Sequence, residues 1–196
     1  DFASSEPLPS LAEWKVVVPQ GAQRDPSDGF NHGEVIGIND EGEIFGRTGI
    51  RSDDWNSGRA TRWNADGTIA DVWGEGSAPT ALNNSGVMVG ATYDGSDQPH
   101  AVMWRDGVQI ALPDDGASRS EALDVSDSGV VSGSVTHGGL TVAVVWYLAT
   151  GTPELHYVPL PETASSARAL RVNDANLVLV ATDYTLTTEG VVSPGA

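Results

Sequence analysis

The sequence predicts an all-β protein, specifically a β-propeller of four-stranded blades, and three observations carry that expectation. A polar turn recurs four times at nearly even spacing. A tryptophan recurs at a fixed place after it. No stretch sustains the 3.6-residue apolar period of a helix, and only Ser10–Lys15 has the makings of a brief coil. Four short strands in a period of about 40–45 residues are the signature of a propeller blade, whose sheet has two faces and must be covered by neighbours on both.

The turns are Asn39-Asp40-Glu41-Gly42, Asn83-Asn84-Ser85-Gly86, Ser126-Asp127-Ser128-Gly129 and Asn173-Asp174-Ala175-Asn176. Their first positions lie 44, 43 and 47 residues apart. Asn or Ser at the first position and Gly at the fourth favour a type I turn. A residue at φ > 0 after such a turn closes a hairpin with a bulge, and glycine takes that conformation without steric cost. Asn176 replaces glycine in the fourth copy, and Asn is among the residues that best tolerate a left-handed backbone.

An aliphatic residue precedes each turn, and a short apolar strand follows it, such as Ile44-Phe45-Gly46 or Val87-Met88-Val89-Gly90. Beyond a variable loop a third strand ends on Trp63, Trp104 or Trp146, spaced 41 and 42 residues apart. A second turn and a fourth strand complete each unit. These indoles are expected to wedge between adjacent sheets, a large apolar surface with one N–H to satisfy. The units fall at about 35–75, 79–113, 120–160 and 166–193 of a single domain, 1–196.

The fourth unit ends without a Trp strand, whereas residues 11–20 (LAEWKVVVPQ) place Trp14 ahead of an apolar stretch. This segment is expected to close the last blade of a four-bladed ring and so remove both exposed sheet edges. An open array, completed by a second copy or by further repeats, is the alternative.

The turns INDEG, LNNSG and VSDSG, taken with His100–Trp104 (HAVMW) and ATRW, resemble the bacterial extracellular HAF repeats, over roughly Val35 to Ala181. That family is named for a His-Ala-Phe triplet before the Trp. Here only the second copy keeps His-Ala, and Val102 stands at the Phe position. The resemblance implies a secreted or surface-displayed propeller-like protein and supplies no catalytic residues.

The net charge of −17 argues against nucleic acid and anionic membrane surfaces as partners. There is no cysteine, which excludes disulfides, thiolate metal sites and a cysteine nucleophile. No apolar run reaches the roughly 20 residues that span a bilayer. The chain starts at Asp1 rather than Met, the expectation for a mature extracellular or cell-surface protein whose leader has been removed. No G-x-S-x-G elbow or H-E-x-x-H motif occurs, and the four histidines are isolated from one another. No cofactor is expected. Ca²⁺ is an alternative at the Asp-rich loops Asp53-Asp54 and Asp94-Gly95-Ser96-Asp97, whose spacing is not that of an EF-hand.

Within a unit of strands a to d, the b–c and d–a connections leave the face opposite the recurrent a–b turns. Function tends to sit on variable loops held by a rigid scaffold. Trp55 in the first b–c loop and Trp73 near the first d–a connection are therefore binding candidates, with packing as their alternative role. Around them are placed Asp53, Asp54, Asn56 and Arg59, and from the next unit Tyr93, Asp94 and Asp97. Aromatic rings bordered by carboxylates and amides suit a sugar. The expected function is a non-catalytic binding or scaffold module for a glycan or other cell-surface ligand. A self-associating structural surface protein and a glycan hydrolase with paired carboxylates are the alternatives.

Overall fold

The computed structural model describes residues 15–22, 32–51, 54–148, 151–160 and 164–184, and its regular structure is all strand apart from a 3-10 turn at Trp55–Ser57. The first sheet consists of β1 (His32–Ile38), β2 (Ile44–Ile50), β3 (Arg59–Trp63) and β4 (Ile69–Glu75), paired antiparallel in that order. The second repeats the arrangement with β5 (Ser77–Leu82), β6 (Met88–Tyr93), β7 (Pro99–Arg105) and β8 (Val108–Ala111). The third comprises β9 (Arg119–Val125), β10 (Val130–His137), β11 (Leu140–Tyr147) and β12 (Glu154–Tyr157). The fourth pairs β13 (Ala164–Val172) with β14 (Val178–Tyr184).

Each recurrent turn is the expected bulged hairpin. Gly42, Gly86, Gly129 and Asn176 take φ of 83°, 76°, 80° and 60°. Their amides donate to Asn39, Asn83, Ser126 and Asn173 carbonyls at 3.0, 3.2, 3.1 and 2.9 Å. The first side chain locks the corner from within. Asn39, Asn83 and Asn173 Oδ1 each accept the amide four residues on, at 2.8–2.9 Å, and Ser126 Oγ accepts that of Val130 at 3.1 Å. Local chemistry alone therefore specifies these corners.

A second feature recurs inside the hairpins. The inner strand of every sheet carries a register shift, opposite Gly46, Gly90, Gly133 and Val180. At the three glycines a Cβ would stand 1.9, 2.1 and 2.0 Å from the carbonyl oxygens of Glu34, Ala78 and Glu121. In these three sheets the bulge presses one backbone into the next and leaves room only for glycine, whereas the fourth sheet accommodates Val180.

The sheets stack in sequence order. Phe45 and Ala60 pack against Met88, Val102 and Trp104, joining the first sheet to the second. Val89, Ala101 and Met103 pack against Ala122, Val131 and Trp146, joining the second to the third. Val130, Val145 and Ala143 pack against Val172, Ala167 and Ala169, joining the third to the fourth. The second strands, β2, β6 and β10, are largely buried, whereas the outer strands β4, β8 and β12 are mostly exposed. Trp63, Trp104 and Trp146 are all fully buried. Trp104 and Trp146 wedge between sheets as expected, their Nε1 donating to Gln109 Oε1 at 2.9 Å and Pro113 O at 2.7 Å.

No described sheet precedes the one that holds Trp63, and residues 15–22 take that place. Trp63 Nε1 donates to Gln20 O at 2.8 Å, while Gln20 N donates to Gly67 O at 2.9 Å. Of the segment expected to close the last blade, Leu11–Trp14 lie outside the described residues, and 15–20 form no strand. The hydrogen bonds of 15–20 run to the first sheet, because an indole N–H buried there requires an acceptor.

Candidate functional site

The inner strands of all four sheets converge on one cavity of about 470 Å³. Glu34 and Ile36 come from β1, Arg47 from β2, Ala78, Pro79 and Thr80 from β5, Leu123 from β9 and Arg171 from β13. Asn56 and Tyr93, both anticipated from sequence, complete the wall.

Local chemistry sets Asn56 in place. Asp54 caps the 3-10 turn by accepting Asn56 N at 3.0 Å, and Arg51 Nη2 holds the other carboxylate oxygen at 2.7 Å. Ser57 Oγ donates to Asp54 O at 2.7 Å and accepts Arg51 N at 2.8 Å. The loop is thus stiffened by its own side chains. Asn56 Nδ2 then reaches Asp97 Oδ1 at 3.4 Å, bridging the b–c loops of the first two sheets. Tyr93 is fixed by its amide, which donates to Gly76 O at 2.8 Å.

The charge in the cavity comes from β1, β2 and β13. Arg47 is 8% exposed, and its guanidinium pairs with Glu34 Oε2 at 2.6 Å. Arg171 Nη1 donates to the neighbouring Leu170 O at 2.8 Å, and no described carboxylate lies within ion-pairing distance of it. The wall therefore offers a guanidinium with no described acidic partner, a part-buried ion pair, an amide and a phenol beside Ile36, Pro79 and Leu123.

The remaining anticipated residues have other settings. Trp73 is half-buried 6.0 Å from Trp104 at a 45° tilt, packed on the cluster that joins the first two sheets. Arg59 pairs with Glu75 at 2.9 Å on the outer surface. Asp94 turns into its own hairpin, accepting Ser96 N at 2.8 Å, Gln98 N at 3.0 Å and His100 Nε2 at 3.3 Å. Those bonds, the Gln98 amide first and the Ser96 amide next, hold its carboxyl below the usual aspartate range. Asp53 lies outside the described residues, and of Trp55 only the backbone is described. Among the described residues no group of three or more His, Asp or Glu side chains is placed to hold a metal ion. A general acid needs a raised pKa, the reverse of Asp94.

Glu34, Arg47 and Arg171 were not anticipated. A charged residue within an otherwise aliphatic inner strand, as in Leu170-Arg171-Val172, was the available signal. At the other end of the inner strands the four recurrent turns border a smaller hollow of about 280 Å³, lined by Asn39, Asp40, Asn83, Asn84, Ser126, Asp127, Asn173 and Asp174. No described helix is long and apolar enough to cross a membrane. No family model, curated protein or solved structure matches the chain.

Proposed function

We propose that this protein is a non-catalytic binding module whose sheets stand as propeller blades around an axis, and that it takes a small hydroxylated ligand, a glycan unit, at the axial cavity. One observation carries the reading: residues from all four sheets line a single concavity that mixes directed polar groups with apolar wall. Ligand sites commonly combine an apolar lining with a few fixed polar groups. The contrast between the covered second strands and the exposed outer ones supports radial stacking. Tyr93 supplies a ring face, Asn56 an amide donor and acceptor, and Arg171 a planar set of donors for hydroxyl or carboxylate oxygens. The likeness of the turns to HAF repeats supports a secreted or surface setting for such a module.

Titration of the intact chain against a broad glycan panel, read by calorimetry, tests the proposal. Binding is expected, and Tyr93→Ala or Arg171→Ala should each weaken it about tenfold or more. No binding across the panel, or binding that both substitutions leave unchanged, overturns it.

A further inference from the structure

The three internal sheet–sheet interfaces share one chemistry, and the two ends of the stack present its unmatched halves. At the second turn position the backbone amide donates forward to the side chain of the next turn. Asp40 N reaches Asn84 Oδ1 at 2.8 Å, Asn84 N reaches Asp127 Oδ1 at 2.7 Å, and Asp127 N reaches Asp174 Oδ1 at 2.7 Å. The first turn position adds a rung, with Asn39 Nδ2 donating to Asn83 O and Asn83 Nδ2 to Ser126 O, both at 3.0 Å. In the fourth turn, Asn173 Nδ2 and Asp174 N have no partner among the described residues. In the first turn the Asp40 carboxylate accepts Asn84 Nδ2 at 3.2 Å on Oδ2, and its Oδ1, equivalent to the acceptor at the three later rungs, receives no described donor.

The apolar positions tell the same story. Val87 and Val130, four residues after the turn start, are 5% and 3% exposed against the following sheet, whereas the equivalent Leu177 is 72% exposed. Leu179, equivalent to buried Phe45 and Val89, is 60% exposed. On the opposite side, the residue just before the turn is buried at Val125 and Val172 but 66% exposed at Ile38. Apolar hollows of about 590 Å³ beside Ile38, lined also by Lys15, Val17 and Pro19, and about 540 Å³ beside Leu177 mark the two faces that no described sheet covers. An aliphatic residue so exposed, at a position buried elsewhere in the same repeat, calls for a partner.

We propose that a second copy of this chain is that partner. The β13–β14 face of one copy seats on the β1 face of the next, head to tail, with Asp174 N donating to Asp40 Oδ1 across the junction. Continuity identifies the occupant: the junction would repeat the turn-to-turn rung that the chain already makes three times. Such a contact is heterologous, so each addition leaves both end faces available. This assembly does not rest on the glycan reading: Ile36 and Arg171 border both the cavity and an end hollow, but Ile38, Leu177, Leu179 and the Asp174–Asp40 rung, which make the junction, do not line the cavity.

Sedimentation of the intact chain from micromolar to millimolar concentration tests it. The weight-average mass is expected to rise with concentration, and more steeply at higher salt, because each copy carries a net charge of −17. Ile38→Asp and Leu179→Asp, both at exposed positions, should each abolish self-association while leaving circular dichroism unchanged. A mixture of the two variants should form a one-to-one complex, because each retains the half that the other lacks. A chain that stays monomeric throughout overturns the proposal. So does association that neither substitution weakens, or a mixture that fails to pair.

Discussion

Asn84 grips the carboxylate of Asp127 with two donors, its backbone amide on one oxygen and its side-chain amide on the other, each at 2.7 Å. This pair is one rung of a ladder that fastens each turn to the next, and beneath it Asn83, 5% exposed, does two jobs at once. Asn83 Oδ1 accepts the Val87 amide within its own turn, and its Nδ2 donates to Ser126 O in the neighbour. Asn83→Ala strands a buried amide and a buried carbonyl, with an expected loss of about 2–3 kcal/mol in urea unfolding. Asp127→Ala removes exposed bonds that water replaces, and about 1 kcal/mol is expected. Equal losses at the two positions would contradict the ladder.

Trp146 should be more costly than either. It is fully buried, and its N–H donates to Pro113 O at 2.7 Å, at the seam between the second and third sheets. Trp146→Ala opens a cavity in the largest apolar cluster, with an expected cost of about 3–5 kcal/mol. Trp73→Ala should cost less, because that ring is only half-buried against Trp104. Thermal unfolding of the two variants gives the comparison directly.

The sequence disclosed most where chemistry is local. The Asn-to-Gly corners could be read because each is closed by its own side chain and one left-handed residue, all within five positions. The wedging of Trp104 and Trp146 could be read because the period is regular. The cavity between the sheets could not, since Glu34, Asn56, Tyr93 and Arg171 meet only after four sheets have stacked. Trp73 was expected to have a binding or a packing role, and the β3–β4 register shift between Arg59 and Thr61, which spans Trp73, accompanies its packing on Trp104. Residues 11–20 were expected beside the last sheet, and the indole of Trp63 holds the described part, 15–20, at the first.

Glycine tolerance offers a sharper test of the inner bulge. Gly90→Ala would place a methyl 2.1 Å from Ala78 O, a contact that side-chain movement cannot relieve. The strand pair must separate, and a loss of about 2 kcal/mol or more is expected. Gly95→Ala, with nothing within 4 Å of its added carbon, is expected to stay within about 0.5 kcal/mol of the parent. Chemical denaturation of both variants decides whether the bulge or glycine content in general is responsible.

Asp94 makes a prediction in pH. The Gln98 and Ser96 amides stabilise its ionised form, so its pKa is lower in the folded chain than in the unfolded one. A group depressed in this way contributes stability above its unfolded pKa and loses that contribution as pH falls through the folded value. The hairpin should therefore keep its shape through mild acid and loosen only below the ordinary aspartate range. In a nuclear magnetic resonance titration, the Ser96 and Gln98 amide signals should move together with that low midpoint. Asp94→Asn should remove the transition from both amides while leaving the Asp66–Thr68 turn to titrate on its own, since Asp66 is held low by the Thr68 hydroxyl and then the Thr68 amide. A midpoint at or above the usual aspartate value would mean that the carboxylate does not close this loop in solution.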